Sequence, residues 1–172
     1  MSGQLTNGVG SGAVAAHAAL RQATGGSYDQ ARSMPGAFYT DPGILALERE
    51  RLFMREWICV GREEEVAQTG DFMALQLCDE PVIVIRGEDG KLRALSNVCR
   101  HRGTVMASGK GNKRRITCPY HHWSYDSAGN LLTAPRMKDQ PAFDPATCNL
   151  PEFACSIWQA FVFVSLDADP VR

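Results

Sequence analysis

Apolar and polar positions along the chain change their rhythm twice. Residues 1–37 are rich in Gly, Ala and Ser, with few bulky side chains and no periodic apolar pattern, a composition that predicts a flexible arm. Asp41-Pro42 then supplies a helix start, because Asp is a good N-cap and Pro at the first helical position loses no useful hydrogen bond. Ile44, Leu47, Met54 and Ile58 fall on one stripe at helical spacing, with Glu48, Arg49 and Glu50 off it, so residues 42–55 are predicted as one amphipathic helix. From Trp57 onward the pattern shortens to strands. Phe72 to Leu77 forms one. Val82 to Arg86 and Lys91 to Leu95 flank Gly87-Glu88-Asp89-Gly90, a loop with hairpin turn chemistry. Arg115-Ile116-Thr117 opens a second strand pair around the turn Asp126-Ser127-Ala128-Gly129-Asn130, and Ile157 to Leu166 reads as one aromatic, β-branched strand. No helix-length pattern separates these strands. The expected fold is mainly β and antiparallel, with one N-terminal amphipathic helix, organised as an arm over 1–37 and one domain over 38–172.

Composition narrows the function. Eighteen Lys and Arg against nineteen Asp and Glu leave a net charge of −1, which argues against a nucleic-acid binder or a polybasic membrane protein. No stretch approaches the roughly 20 apolar residues that span a bilayer. Ala13 to Leu20 is short and interrupted by His17, unlike the apolar run of a signal peptide, so a cytoplasmic location is expected.

Candidate chemistry sits in two segments. Cys99-Arg100-His101-Arg102-Gly103 and Cys118-Pro119-Tyr120-His121 give C-x-H, sixteen intervening residues, then C-x-x-H. Each loop offers one thiolate and one imidazole. Two Cys and two His are the ligand set of a Rieske [2Fe–2S] centre, in which histidines replace two thiolates on one iron. A structural Cys₂His₂ zinc site is the alternative, although zinc modules more often pair C-x₂₋₄-C with H-x₃₋₅-H. The metal-binding candidates are thus Cys99, His101, Cys118 and His121. Cys59, Cys78, Cys148 and Cys155 have no comparable spacing and are expected to be buried thiols acting as small hydrophobes. His122 cannot bind the same cluster without displacing His121, and His17 is read as a bystander in the arm.

With Trp123-Ser124-Tyr125-Asp126 following the second loop, the sequence resembles the N-terminal Rieske domain of the α subunit of non-heme iron ring-hydroxylating or N-demethylating oxygenases. The similarity runs from about Tyr39 to Pro170 and is greatest toward the branch acting on quaternary ammonium compounds. One departure is His122, where the family usually has Gly. The resemblance implies a Rieske-type β-sandwich with a cluster-binding subdomain and a [2Fe–2S] cofactor. Respiratory Rieske proteins carry an extra cysteine in each loop and a Ser that bonds the cluster. Thr104, Tyr120 and Trp123 stand at those positions here, which implies no disulfide, one hydrogen bond fewer to the cluster and a low potential.

The resemblance also implies an electron-transfer role. One electron would pass from a reductase or ferredoxin donor to a mononuclear iron in a catalytic domain, held by two His and one carboxylate. Only His17 and His122 remain after the cluster takes its two, and the family's catalytic domain would begin where this sequence ends, so that domain is expected outside this chain. The chain alone is not expected to be a complete oxygenase. A homotrimer is the family's arrangement. The competing class is a free-standing Rieske ferredoxin, against which the helix at 42–55 speaks. Finally, Lys91, Arg93, Arg100, Arg102, Lys110, Lys113, Arg114 and Arg115 lie between Gly90 and Tyr125 with no Asp or Glu among them. They predict a cationic collar that steers an acidic partner, with Arg114 and Arg115 as its outer members.

Overall fold

The computed structural model describes residues 11–30, 33–137 and 140–171, and it divides into two compact units, up to Leu52 and from Phe53 onward. In the first unit α1 (Ser11–Thr24) is a helix within the stretch expected to be a flexible arm. Its alanine-rich sequence favours helix by propensity alone, without the apolar stripe that periodicity looks for. Residues 1–10 and 31–32 of that arm lie outside the described residues. A short α2 (Ala37–Thr40) leads to α3 (Pro42–Glu48), which begins as expected, with the Asp41 carboxylate accepting from Gly43 N–H at 2.7 Å. Ile44 is buried. A wide π-helical turn over Arg49–Phe53 ends the helix, so Met54 falls past it and is exposed, and Ile58 belongs to a strand.

The second unit is antiparallel β throughout its ladders. A seven-stranded sheet runs β1-β10-β9-β4-β3-β2-β5, built from β1 (Ile58–Arg62), β2 (Asp71–Leu77), β3 (Glu80–Arg86), β4 (Leu92–Ser96), β5 (Lys110–Asn112), β9 (Glu152–Trp158) and β10 (Phe161–Ser165). A separate three-stranded sheet, β6 (Ile116–Thr117), β7 (Ser124–Tyr125) and β8 (Leu131–Thr133), forms the smaller subdomain. The segment read as one strand over 157–166 is instead the hairpin β9–β10. It turns at Gln159 and Ala160, both with left-handed φ (47° and 66°). That geometry usually calls for Asn or Gly, and neither residue advertises it.

β3 explains the layering. Val82, Ile83, Val84 and Ile85 are all fully buried, and alternation sends them to opposite faces. Val82 and Val84 join Val66, Met73, Ala94, Val162 and Val164 in one core, where the sheet curls so that β10 faces β3. Ile83 and Ile85 join Phe72, Leu95, Ile116, Trp123, Tyr125, Cys99 and Cys118 in another, between the large sheet and the small one. Two candidate ligands are therefore core residues.

Asn97 fixes the exit from β4. Its buried side-chain amide donates to Ala107 C=O at 2.8 Å and accepts from Ala107 N–H at 3.0 Å, closing the loop between them. Asn97→Ala leaves both backbone groups short of partners and is expected to cost about 2–3 kcal/mol. Urea unfolding of the variant checks this, and a loss below about 0.5 kcal/mol, the usual size of a neutral surface change, would show that the brace is dispensable.

Candidate metal centre

Two loops, one from each sheet, follow the same backbone plan. In the first, leaving β4, Cys99 N–H donates to Thr104 C=O at 2.9 Å and Gly103 N–H donates back to Cys99 C=O at 3.0 Å. In the second, between β6 and β7, Cys118 N–H donates to Trp123 C=O at 2.8 Å and His122 N–H donates to Cys118 C=O at 3.1 Å. The residue four after each cysteine closes its loop in a left-handed conformation, Gly103 at φ 71° and His122 at φ 60°. At 103 the requirement is conformational, since a Cβ there would meet nothing within 4 Å. His122 meets the same requirement with a side chain, and that side chain is exposed.

The loops bring all four expected residues together. Cys99 and Cys118 are buried free thiols, and burial, together with the neighbouring Cys118, pushes the Cys99 thiol above its ordinary range. His101 and His121 meet with ring centroids 4.7 Å apart at 72°. His101 lies flat on the buried Trp123 indole (4.8 Å, 7°), which is itself held edge-on by Phe143, whereas His121 is covered by the half-exposed Tyr120 ring at 3.7 Å. Burial and the charges of His101, Arg102, Arg136 and His122 hold the His121 imidazole below its usual range.

Two atoms test whether a cluster fits. His101 Nδ1 and His121 Nδ1 are the only buried side-chain nitrogen or oxygen atoms without a hydrogen-bond partner among the described residues. A buried polar atom left unpaired costs free energy unless something binds it. Among the described residues no three His, Cys, Asp or Glu side chains surround a single point. A pair of thiols and a pair of imidazoles could instead hold two metals with two protein ligands each, the donor set of a Rieske [2Fe–2S] group.

One functional group had no role in the sequence reading. Tyr125 Oη lies 3.6 Å from Cys99 Sγ and accepts from Arg100 N–H at 3.1 Å, and burial keeps the phenol protonated. The signal was its spacing: two residues after Trp123 on a strand, it shares that residue's inward face. No serine stands at that position, but a tyrosine hydroxyl lies against one of the two cysteine sulfurs. The remaining cysteines differ from expectation. Cys59 is exposed on β1, and Cys78, Cys148 and Cys155 are half-buried, with burial pushing the Cys155 thiol up to about 11. His17 is exposed on α1.

The comparisons agree with this geometry. The family model for the Rieske [2Fe-2S] domain matches residues 56–153. The glycine betaine monooxygenase oxygenase subunit of Chromohalobacter salexigens is 38% identical over 157 residues, covering 89% of this chain and 35% of the relative. The carnitine monooxygenase oxygenase subunit of Escherichia coli is 37% identical over 139 residues, covering 80% of this chain and 37% of the relative. The chain thus spans about a third of the length of these curated relatives. Among solved structures, the apo form of the quaternary ammonium Rieske monooxygenase CntA superposes with a TM-score of 0.77 at 35% identity, covering 83% of this chain and 42% of that one. Naphthalene 1,2-dioxygenase from Rhodococcus sp. gives 0.75 at 32% identity, covering 80% and 32%. Residues 56–153, with both loops inside the match, make this chain a member of the Rieske [2Fe–2S] domain family.

Proposed function

We propose that Cys99 and Cys118 hold one iron of the cluster and His101 and His121 the other, and that the domain relays single electrons within an oxygenase system. The observation that carries this reading is the pair of orphaned imidazole nitrogens beside two buried thiols in one core. The bound cluster supplies one-electron chemistry at a potential set by its ligands and their hydrogen bonds. The chain's residues do the holding. Trp123 stacks on the His101 ring, the paired left-handed loop closures fix both cysteine carbonyls, and the Tyr125 hydroxyl stands where it would donate to a Cys99 thiolate. The donor is read as a reductase or ferredoxin. The acceptor is a mononuclear catalytic iron, for which the relatives' oxygenase subunits speak, and the substrate class is a quaternary ammonium compound, as in the names of the relatives given above.

The purified protein is expected to contain two irons and two acid-labile sulfides, and to show a Rieske-type electron paramagnetic resonance signal after dithionite reduction. Cys99→Ser or Cys118→Ser should abolish it. A colourless protein with stoichiometric zinc, after anaerobic reconstitution with iron and sulfide, would sink the assignment.

Tyr125→Phe removes one hydrogen bond to a thiolate, worth roughly 1 kcal/mol net. The midpoint potential should fall by roughly 40–60 mV for a one-electron couple, with iron and sulfide content retained. Protein-film voltammetry gives the number, and an unchanged potential would mean the phenol does not bond the sulfur.

A further inference from the structure

A metal-ligating histidine is ordinarily aimed by a carboxylate or carbonyl that accepts from its second ring nitrogen. Neither imidazole of this centre has such a partner. Among the described residues no hydrogen bond reaches the ring of His101 or His121. Two members of the cationic collar expected from the sequence are paired off, Arg93 with Asp89 and Lys110 with Glu65, and none bonds an imidazole. What holds the rings is therefore packing, and the two histidines differ in what packs on them. His121 lies under Tyr120, which is 56% exposed, and no second ring stands behind Tyr120 among the described residues. His101 begins a row of three rings. Its plane is 7° from that of the buried Trp123 indole at 4.8 Å, and Phe143 meets the same indole at 5.6 Å and 68°. Stacked and edge-to-face contacts are the arrangements in which aromatic pairs hold one another in a fixed direction.

Phe143 reaches the indole from a separate segment, and its seat is fixed from both sides. Before it, its own N–H donates to Gln140 C=O at 3.0 Å and closes a turn. After it, Asp144 caps the short 3₁₀ turn Pro145–Cys148: the carboxylate accepts from Ala146 N–H at 3.0 Å, and the carbonyl accepts from the Thr147 hydroxyl at 2.8 Å. An apolar residue just before such a cap tends to pack with the far end of the turn. Phe143 and Cys148 accordingly both lie against the core that contains Cys99 and Cys118. Asn149 then accepts from Leu131 N–H at 2.9 Å, and Leu150 N–H donates to Gly129 C=O at 2.8 Å, which ties the segment to the turn that follows Tyr125. A leucine at 143 would supply apolar cover. Only a ring offers the indole face a positively polarised edge.

We propose that Phe143 is a positioning residue for the His101 ligand and acts through Trp123. The Phe143 edge holds the indole, the indole holds the imidazole, and this row of rings takes the place of the hydrogen-bonded carboxylate that aims other metal-bound histidines. The proposal rests on the ligand assignment above and deepens it. His121 has no such row behind it, so the effect belongs to one of the two imidazoles and not to the centre as a whole.

The test is pulsed electron paramagnetic resonance of the reduced, cluster-loaded protein, which reads the coupling of each coordinated histidine nitrogen separately. Iron, sulfide and the wild-type spectrum are measured first. A wild-type protein without two coordinated nitrogens defeats the ligand assignment, and this proposal with it, whereas a loaded one lets Phe143 be judged by itself. Phe143→Leu should displace or broaden one nitrogen coupling and leave the other in place. Phe143→Tyr, which keeps the ring, should show the wild-type pair. Leu150→Ala is the control, because Leu150 is buried in the same core at the far end of the same segment. It should lower the melting temperature at least as far as Phe143→Leu and leave both couplings unchanged. Unchanged couplings in Phe143→Leu, equal displacement of both, the same displacement in Leu150→Ala, or a Tyr variant that behaves like the Leu variant overturns the proposal. Should Phe143→Leu fail to load, Phe143→Met is read in its place by the same criteria. Failure of both to load, with normal circular dichroism and with Phe143→Tyr and Leu150→Ala fully loaded, supports the need for a ring; failure of all four overturns it.

Discussion

The constraint on which the second unit depends is the burial of β3 on both faces. A strand with one wet face needs only alternate apolar positions, but Val82 through Ile85 are excluded from water without a break. Each face must then be covered by something different. The valines are covered by the curl that brings β10 over β3, and the isoleucines by the small sheet carrying the second loop. Four fully buried aliphatic side chains are worth roughly 1.5–3 kcal/mol each, and that gain is available only if both layers assemble. Because Cys99 and Cys118 belong to the isoleucine side, formation of the core and convergence of the loops are one event.

The loops show how little sequence is needed once that scaffold exists. Each contributes a cysteine whose carbonyl accepts from the amide four residues on. The spacing difference, C-x-H against C-x-x-H, sits inside closures of equal length. The imidazoles consequently approach from different directions and acquire different neighbours, a buried indole for His101 and a surface phenol for His121. One imidazole lies on a buried ring, the other beneath an exposed one. The asymmetry follows from one residue's difference in where each histidine stands.

Much of this was legible before any coordinates. The hairpin around Gly87–Gly90, the Asp126–Asn130 turn and the four converging residues were readable because turn chemistry and metal-ligand chemistry use few residue types. Asp126 indeed accepts from both Ala128 and Asn130 amides. What was illegible had physical reasons. The Gln159-Ala160 turn uses residues with no preference for its dihedrals, so tertiary packing of Val162 and Val164 overrides local propensity. β5, Lys-Gly-Asn, has no apolar residue and exists only because β2 offers it an unpaired edge. Arg136 lies too far along the chain for a window of charge to find, and Tyr125 needed its strand before its direction meant anything.

The Trp57 indole N–H donates to Val171 C=O at 2.9 Å, and Ser165 Oγ donates to Arg55 C=O at 3.2 Å. The entering and leaving strands, β1 and β10, are ladder neighbours. A body whose two ends meet at one seam can be spliced between other segments without stretching either, which is why domains with adjacent termini tolerate insertion. Trp57 and Val171 hold the entry and the exit of this β-body side by side, so a segment joined at either point need not pull the sheet open.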